Sequence, residues 1–222
     1  MGLDKDTVLS DLDQEKMGFL TSACVLRLLR QGASPDVVND LVMDRHWLYD
    51  WGLYADQLSS LLNSCARQGE HGLGLALALG DKEAREKAVQ HGQKHREYII
   101  TCLRELEANP PEQMDHIQHF ETKETAYAGV LAGLGTLYFF DTTKATFGFS
   151  DKDGKLNVSA RAPRSLVEAG TNLGIACREA GESVKGTGGG HDIAAGATVP
   201  SKSRKMFLKE LDRIVGRQLA AK

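Results

Sequence analysis

Over the first hundred residues the apolar positions recur at three- and four-residue intervals, whereas beyond about residue 112 stretches of strict alternation appear. In 11–30, Phe19, Leu20, Cys24 and Leu28 fall near one face of a helix that Gly32 stops. Ser34 as N-cap, Pro35 at the first helical position and Asp36 in the first turn open a second helix through Val38, Leu41 and Val42. A third is predicted from about Tyr54 to Arg67, with Leu58, Leu61, Leu62 and Cys65 inward and Gly69 ending it. The run GLGLALALG at 72–80 is apolar on every side and is expected to lie inside. Asp81 caps a long helix over about 82–108, whose inner stripe reads Ala84, Ala88, Gly92, His95, Ile99, Cys102, Leu103, Leu106. Asn109-Pro110-Pro111 ends it, because a proline bars its predecessor from the α region. Two domains are expected: a helical 1–110 and a mixed 112–222.

In the second part, Met114–Phe120 reads as a short strand and Ala126–Tyr138 as a helix rich in small residues. Two strands, Ala145–Ser150 and Lys155–Ala162, flank Asp151-Lys152-Asp153-Gly154, a hairpin turn signal. An amphipathic helix over Ser165–Ala180 turns Leu166, Ala169, Leu173 and Ala176 inward, with Gly181 behind it. GTGGGHDIAAGATVP leads into a strand near Ala195–Val199, and Ser201 or Ser203 caps a basic helix over Arg204–Leu219. The fold class is therefore α/β: a helical first half, then a small mixed sheet flanked by helices.

Charge sharpens this division. The 222 residues carry 27 basic and 30 acidic side chains, which argues against a polyanion partner only on average. Residues 1–151 hold 14 basic against 23 acidic groups, net −9, and residues 152–222 hold 13 against 7, net +6. A polyanion-binding surface is expected in the last third. The apolar stretches 72–80 and 128–140 are shorter than the roughly 18–20 residues that cross a bilayer. The acidic start MGLDKDTVLSDLDQ reads as neither a signal nor a transit peptide, so a cytoplasmic location is expected. Cys24, Cys65, Cys102 and Cys177 are widely spaced, lie in apolar helical runs and read as buried free thiols of a reducing cytoplasm.

The sharpest chemical feature is Gly186-Thr187-Gly188-Gly189-Gly190-His191. Three successive glycines remove every Cβ and let bare amides approach phosphate oxygens, while the histidine adds a donor or a charge. It is neither a P-loop nor G-x-G-x-x-G, and a loop with an incidental histidine fits the same composition. In KLNVSARA, alternation puts Leu156, Val158 and Ala160 on one face and Asn157, Ser159 and Arg161 on the other. A hydroxyl and a guanidinium fork projecting together suit a phosphate; an ordinary solvated strand face is the plainer alternative. Arg164, Lys185, Arg204 and Lys205 are candidates for long-range attraction only. His91 and His95, at i and i+4, and His116 with His119 could ligate a metal, but HGQKH lacks the glutamate of a zinc protease motif.

GGGHDIAAGA, preceded by VSARA and a helix, resembles the substrate-binding DHH-associated domain of the DHH phosphoesterases. With LSDLDQEK…LRLLRQGA and LLNSCARQGEHGLGLALALGD, it resembles the archaeal RecJ-like single-strand exonucleases, including the GINS-associated nuclease, over nearly the whole chain. The resemblance implies that Gly188, Gly189, Gly190 and His191 hold substrate phosphate and that Arg161, with Ser159, grips a nucleic-acid backbone. It also implies a DNA-repair type of metal-dependent phosphodiester hydrolase needing Mn2+ or Mg2+ in a full-length enzyme. No Asp-His-His triplet occurs here; Asp44-Arg45-His46 and Asp115-His116 are the nearest approaches. The expectation is a C-terminal portion, fragment or shortened paralogue, that binds single-stranded DNA or RNA without turnover. It holds no catalytic residue or metal of its own, and its partners would be the missing DHH domain and replication proteins such as GINS. The rival readings are a protein-interaction module with vestigial nucleic-acid binding, a phosphoesterase built on the histidines, and a domain like the C-terminal part of alanyl-tRNA synthetases.

Overall fold

The computed structural model describes residues 11–32 and 44–221. The chain divides into two units, Met1–Gln57 and Leu58–Lys222. In the first, α1 (Gln14–Arg30) starts at Asp13, whose carboxylate accepts the Lys16 N–H at 2.8 Å. Its half-buried stripe is Met17, Leu20, Thr21, Val25 and Leu28; of the four residues read near one face, Phe19 and Cys24 are exposed, so Cys24 is not the buried thiol expected. The helix expected from Ser34 through Val42 lies outside the described residues. A two-stranded hairpin, β1 (Trp47–Leu48) and β2 (Leu53–Tyr54), follows, so Tyr54 is strand and α2 (Ala55–Arg67) begins one residue later. Arg45 closes this hairpin by lying 3.9 Å from the Tyr54 ring centroid and 3.0 Å from Asp56.

The second unit continues with α3 (His71–Ala78) and α4 (Lys82–Ala108). Asp81 caps α4 by accepting from Ala84 N at 2.9 Å, as its sequence suggests. The expectation that GLGLALALG is internal is overturned. Leu77 is buried, but Leu75 and Leu79 are 63% and 80% exposed, because α3 lies against α4 along a single side.

Six strands form the sheet in the order β3-β4-β5-β6-β8-β7. They are β3 (Glu112–Gln113), β4 (Ile117–Glu121), β5 (Ala145–Lys152), β6 (Lys155–Arg161), β7 (Thr187–Gly190) and β8 (Ala194–Pro200). Within it β4 and β5 pair in parallel, joined by the crossover helix α5 (Thr125–Tyr138), and the other neighbours pair antiparallel. Asp153 and Gly154 take positive φ, 53° and 73°, which gives the β5–β6 turn the twist its strands need. The amphipathic helix expected over 165–180 is instead two, α6 (Arg164–Glu168) and α7 (Leu173–Ser183). Gly170 breaks it at φ 109°, and Asn172 then caps α7 by accepting from Ile175 N. Gly181 lies inside α7 rather than behind it. A single 3-10 turn, Ser201–Ser203, leads into α8 (Arg204–Ala220), and neither serine caps it through its side chain.

One face of the sheet is closed by α7 and α8 over Phe147, Phe149, Val158, Val199, Phe207 and Ile214. The opposite face carries α5, with α4 outside it, around Phe120, Leu131 and Leu106. Asp212 of α8 fastens the start of β4: its Oδ1 accepts from His116 N at 2.8 Å and Ile117 N at 3.1 Å. Those two amides would otherwise be orphaned where the strand begins.

Candidate functional site

The alternation along β6 holds. Leu156, Val158 and Ala160 are buried in the α7/α8 core, while Asn157, Ser159 and Arg161 are half-buried on the α5 side. Helix α5 meets them with glycine. A Cβ at Gly129 would stand 3.0 Å from Arg161 Nη2 and 3.5 Å from Ser159 Oγ, and one at Gly133 would stand 3.9 Å from Arg161 Nε. The arginine therefore lies along the helix, in a channel that two missing side chains open.

Arg67, at the end of α2, reaches the same turn of α5, donating from Nη1 to Ala126 O at 2.5 Å. Burial first, and then the Arg67 charge, lower the pKa of Arg161 from the ordinary arginine value. Burial and the same Arg67 lower that of His95, whose Nδ1 is 3.1 Å from the Tyr127 hydroxyl. Among the described residues no carboxylate is within ion-pair distance of Arg67 or Arg161, and Arg161 spends one donor on Ala160 O at 2.8 Å. Two guanidinium groups that sense one another's charge, neither with a carboxylate partner among the described residues, are together with the Ser159 hydroxyl chemically suited to an anion. Composition and strand alternation could not find Arg67; its only sequence signal was its place in LLNSCARQG.

Beyond Ser159 the same face continues over β8 and β7. Ser159 pairs in register with Gly196, and Gly196 with Gly189, so two of three residues in that row have no side chain. Thr187–Gly190 form an edge strand rather than the loop expected, and the three glycines differ in what surrounds them. A Cβ at Gly188 would collide with the Cys177 carbonyl of α7, so Gly188 serves close helix–strand contact. A Cβ at Gly189 would meet nothing within 4 Å, which leaves this position open. Gly190 has φ 140° and faces Ala195 so closely that no side chain fits. His191 is exposed, and its N–H donates to Ala194 O at 2.8 Å; Ala194 is the register partner of Arg161. The sheet thus places Ser159 and Arg161 on β6 and Gly189 on β7, with β8 between them and His191 in the turn that follows β7.

Other candidates separate. Arg204 is ion-paired with Glu121 and stands 5.6 Å from the Phe149 ring centroid, on the face away from Ser159. Arg164 and Lys205 lie at the surface on α6 and α8, and Lys185 in the turn between α7 and β7. His91 and His95 lie on α4, while His116 abuts Gly216 and His119 stands edge-on to Phe149. Among the described residues no three His, Cys, Asp or Glu side chains gather as a metal site. No helix among them is long and apolar enough to cross a membrane.

Residues 129–217 match the DHHA1 domain, and this segment contains Ser159, Arg161 and the Gly188–His191 run. An uncharacterized protein of Methanocaldococcus jannaschii is 30% identical over 212 residues, which is 95% of this chain and 44% of that protein. The chain thus spans less than half the length of this curated relative. The RecJ structure from Thermus thermophilus in complex with Mn2+ is similar over 73% of this chain and 24% of its own, with TM-score 0.58 and 18% identity. CDC45 from Entamoeba histolytica is similar over 77% of this chain and 39% of its own, with TM-score 0.55 and 8% identity. Residues 129–217 thus match the DHHA1 domain, and the chain shares its fold with part of RecJ.

Proposed function

We propose that this protein binds single-stranded nucleic acid, or short oligonucleotides, by their phosphates, as the substrate-binding part of a RecJ-like DHH phosphoesterase. In this reading 112–222 is the binding domain, the helical 1–110 contributes Arg67, and the two-metal DHH centre is not carried by this chain. The observation that supports it is the unpaired Arg67–Arg161 couple beside Ser159. A phosphate between the two guanidinium groups removes their repulsion and accepts hydrogen bonds from both, and from the Ser159 hydroxyl. As the edge strand, β7 leaves every second amide unpaired, so its glycines can donate to a neighbouring phosphate. His191, beside that strand end, is placed to meet the next one. These groups position a phosphodiester; none of them activates water. A RecJ-type manganese or magnesium centre would supply that chemistry from elsewhere, and a cytoplasmic location belongs to the same proposal.

Fluorescence anisotropy of a labelled, 5′-phosphorylated single strand tests it, with wild type, Arg161→Ala and Arg67→Ala at two salt concentrations. Each variant is expected to bind about ten- to a hundredfold more weakly, as befits a lost charge-assisted contact. The wild-type slope of log K against log salt should be roughly −0.7 per phosphate neutralised. Affinity and slope unchanged in both variants would reject the site. A folded wild type that binds no strand would favour the interaction-module reading, for which the exposed Leu75 and Leu79 of α3 offer a docking surface.

A further inference from the structure

The face that carries Ser159 and Arg161 extends beyond them. Residues paired across neighbouring strands point to the same side of a sheet, so register sorts this face into rows. One row is Ser159, Gly196 and Gly189; beside it, two residues back along β6, lies Asn157, Thr198 and Thr187. On β5 the second row continues into Ser150, which is 2% exposed and stands 2.7 Å, oxygen to oxygen, from the Thr125 hydroxyl at the first residue of α5. The helix thus begins over Ser150, while Asn157 and Thr198 are half-buried and Thr187 is exposed.

The two rows differ in chemistry. Arg161 folds back along α5, so that its Nη2 and the Ser159 Oγ lie against the same glycine, Gly129, and positive charge gathers at Ser159. The second row carries no charge and offers two hydroxyls and an amide. In the first row, Gly196 and Gly189 leave bare backbone reaching about 10 Å from Ser159, two strand spacings. A Cβ at Gly189 would meet nothing within 4 Å. Thr198 Oγ1 donates to Asn157 Oδ1 at 3.3 Å, which occupies the amide oxygen and leaves Nδ2 with no partner among the described residues. Asn157 is therefore held as a donor beside an open, flat floor.

A nucleotide is divided in the same way: an anionic phosphate, a flat ring, and a neutral edge of hydrogen-bonding groups. The rows lie about 7 Å apart along the strand, two residues at 3.3–3.4 Å each, comparable with the reach from a nucleotide's phosphate to its base. We propose that this face holds a nucleobase subsite. With the phosphate at Ser159 and Arg161, the ring lies on the backbone of Gly196 and Gly189, and Asn157 Nδ2 donates to an acceptor on the ring's edge. Thr198 is a positioning residue that orients the Asn157 amide. Every base carries a carbonyl oxygen or an unprotonated ring nitrogen, so an amide fixed as donor distinguishes a base from none rather than one base from another. The inference deepens the phosphate reading and rests on it.

Fluorescence anisotropy with two labelled, 5′-phosphorylated strands of equal length is the test, one an oligothymidylate and the other its abasic counterpart. Wild type is expected to hold the oligothymidylate about tenfold more tightly. Asn157→Ala and Thr198→Val, with unchanged urea midpoints, should each weaken oligothymidylate binding about fivefold and leave abasic binding as it is. Arg161→Ala should weaken both. Equal wild-type affinity for the two strands overturns the base subsite while the phosphate reading stands. Equal losses on both strands in Asn157→Ala and Thr198→Val also overturn it, and make the row part of a backbone track. A folded wild type that holds neither strand overturns the phosphate reading and this inference with it.

Discussion

The two faces of the six-stranded sheet are built from alternate residues of the same strands, yet they solve different problems. Behind Leu156, Val158 and Ala160, helices α7 and α8 seal a continuous apolar core. Behind Asn157, Ser159 and Arg161, α5 covers β5 and β6 but not the glycine-rich β8 and β7. One face spends its residues on burial, and the other keeps polar groups half-exposed and short of partners. In β6, stability and binding are thus divided by a period of two, and a substitution should move one property while sparing the other.

The largest effect should come from breaking the sealed face. Phe147, fully buried, lies among these core residues, and Phe147→Ala should cost about 3–5 kcal/mol in chemical denaturation. At equal folded fraction it should leave oligonucleotide affinity unchanged. Gly188→Ala sits where the two faces meet, since its Cβ would strike the Cys177 carbonyl. About 1–3 kcal/mol of overpacking loss is expected, with weaker oligonucleotide binding as β7 is displaced, which separates its structural role from direct ligand contact.

A histidine behind each face offers a smaller, pH-dependent contrast. His95 against α5 and His119 against Phe149 both have pKa values lowered from the ordinary 6.5, chiefly by burial. The unfolded chain therefore takes up these protons first. Stability should be full above about pH 6.5 and fall as pH drops towards the folded values, with no further loss from these groups below them. Urea midpoints between pH 5 and 7.5 should show this slope, flattened in part by His95→Gln and in part by His119→Gln. The smallest change is expected from Ser159→Ala: about fivefold weaker strand binding, one hydroxyl's worth, and no change in the urea midpoint.

How much of this could be read in the sequence depended on whether the cause was local. The Asp153-Gly154 turn, the Asp81 cap, the Pro110-Pro111 stop and the two faces of β6 follow from a few adjacent residues, and each stands as expected. The apolar run at 72–80 misled because apolar composition reports what a helix could bury, not how many neighbours arrive to cover it. The glycines at 186–190 suggested a loop because glycine is free to turn. Here it forms an edge strand instead, where a Cβ at Gly188 would strike α7 and one at Gly190 would strike β8. Arg67 illustrates the remaining limit: almost a hundred residues separate it from Arg161, and only the packing of α2 and β6 around α5 brings them together.

The carboxylate of Asp212 carries a consequence for how the domain comes into being. It terminates the amides of His116 and Ile117, residues made nearly a hundred positions earlier. A chain emerging from the ribosome can form α4 and the β5–β6 hairpin from nearby residues alone. The first residues of β4, however, must wait for α8 before their amides are satisfied. Closure of the sheet is thus a late, long-range event, which predicts slow final folding and a nascent domain that depends on its last helix.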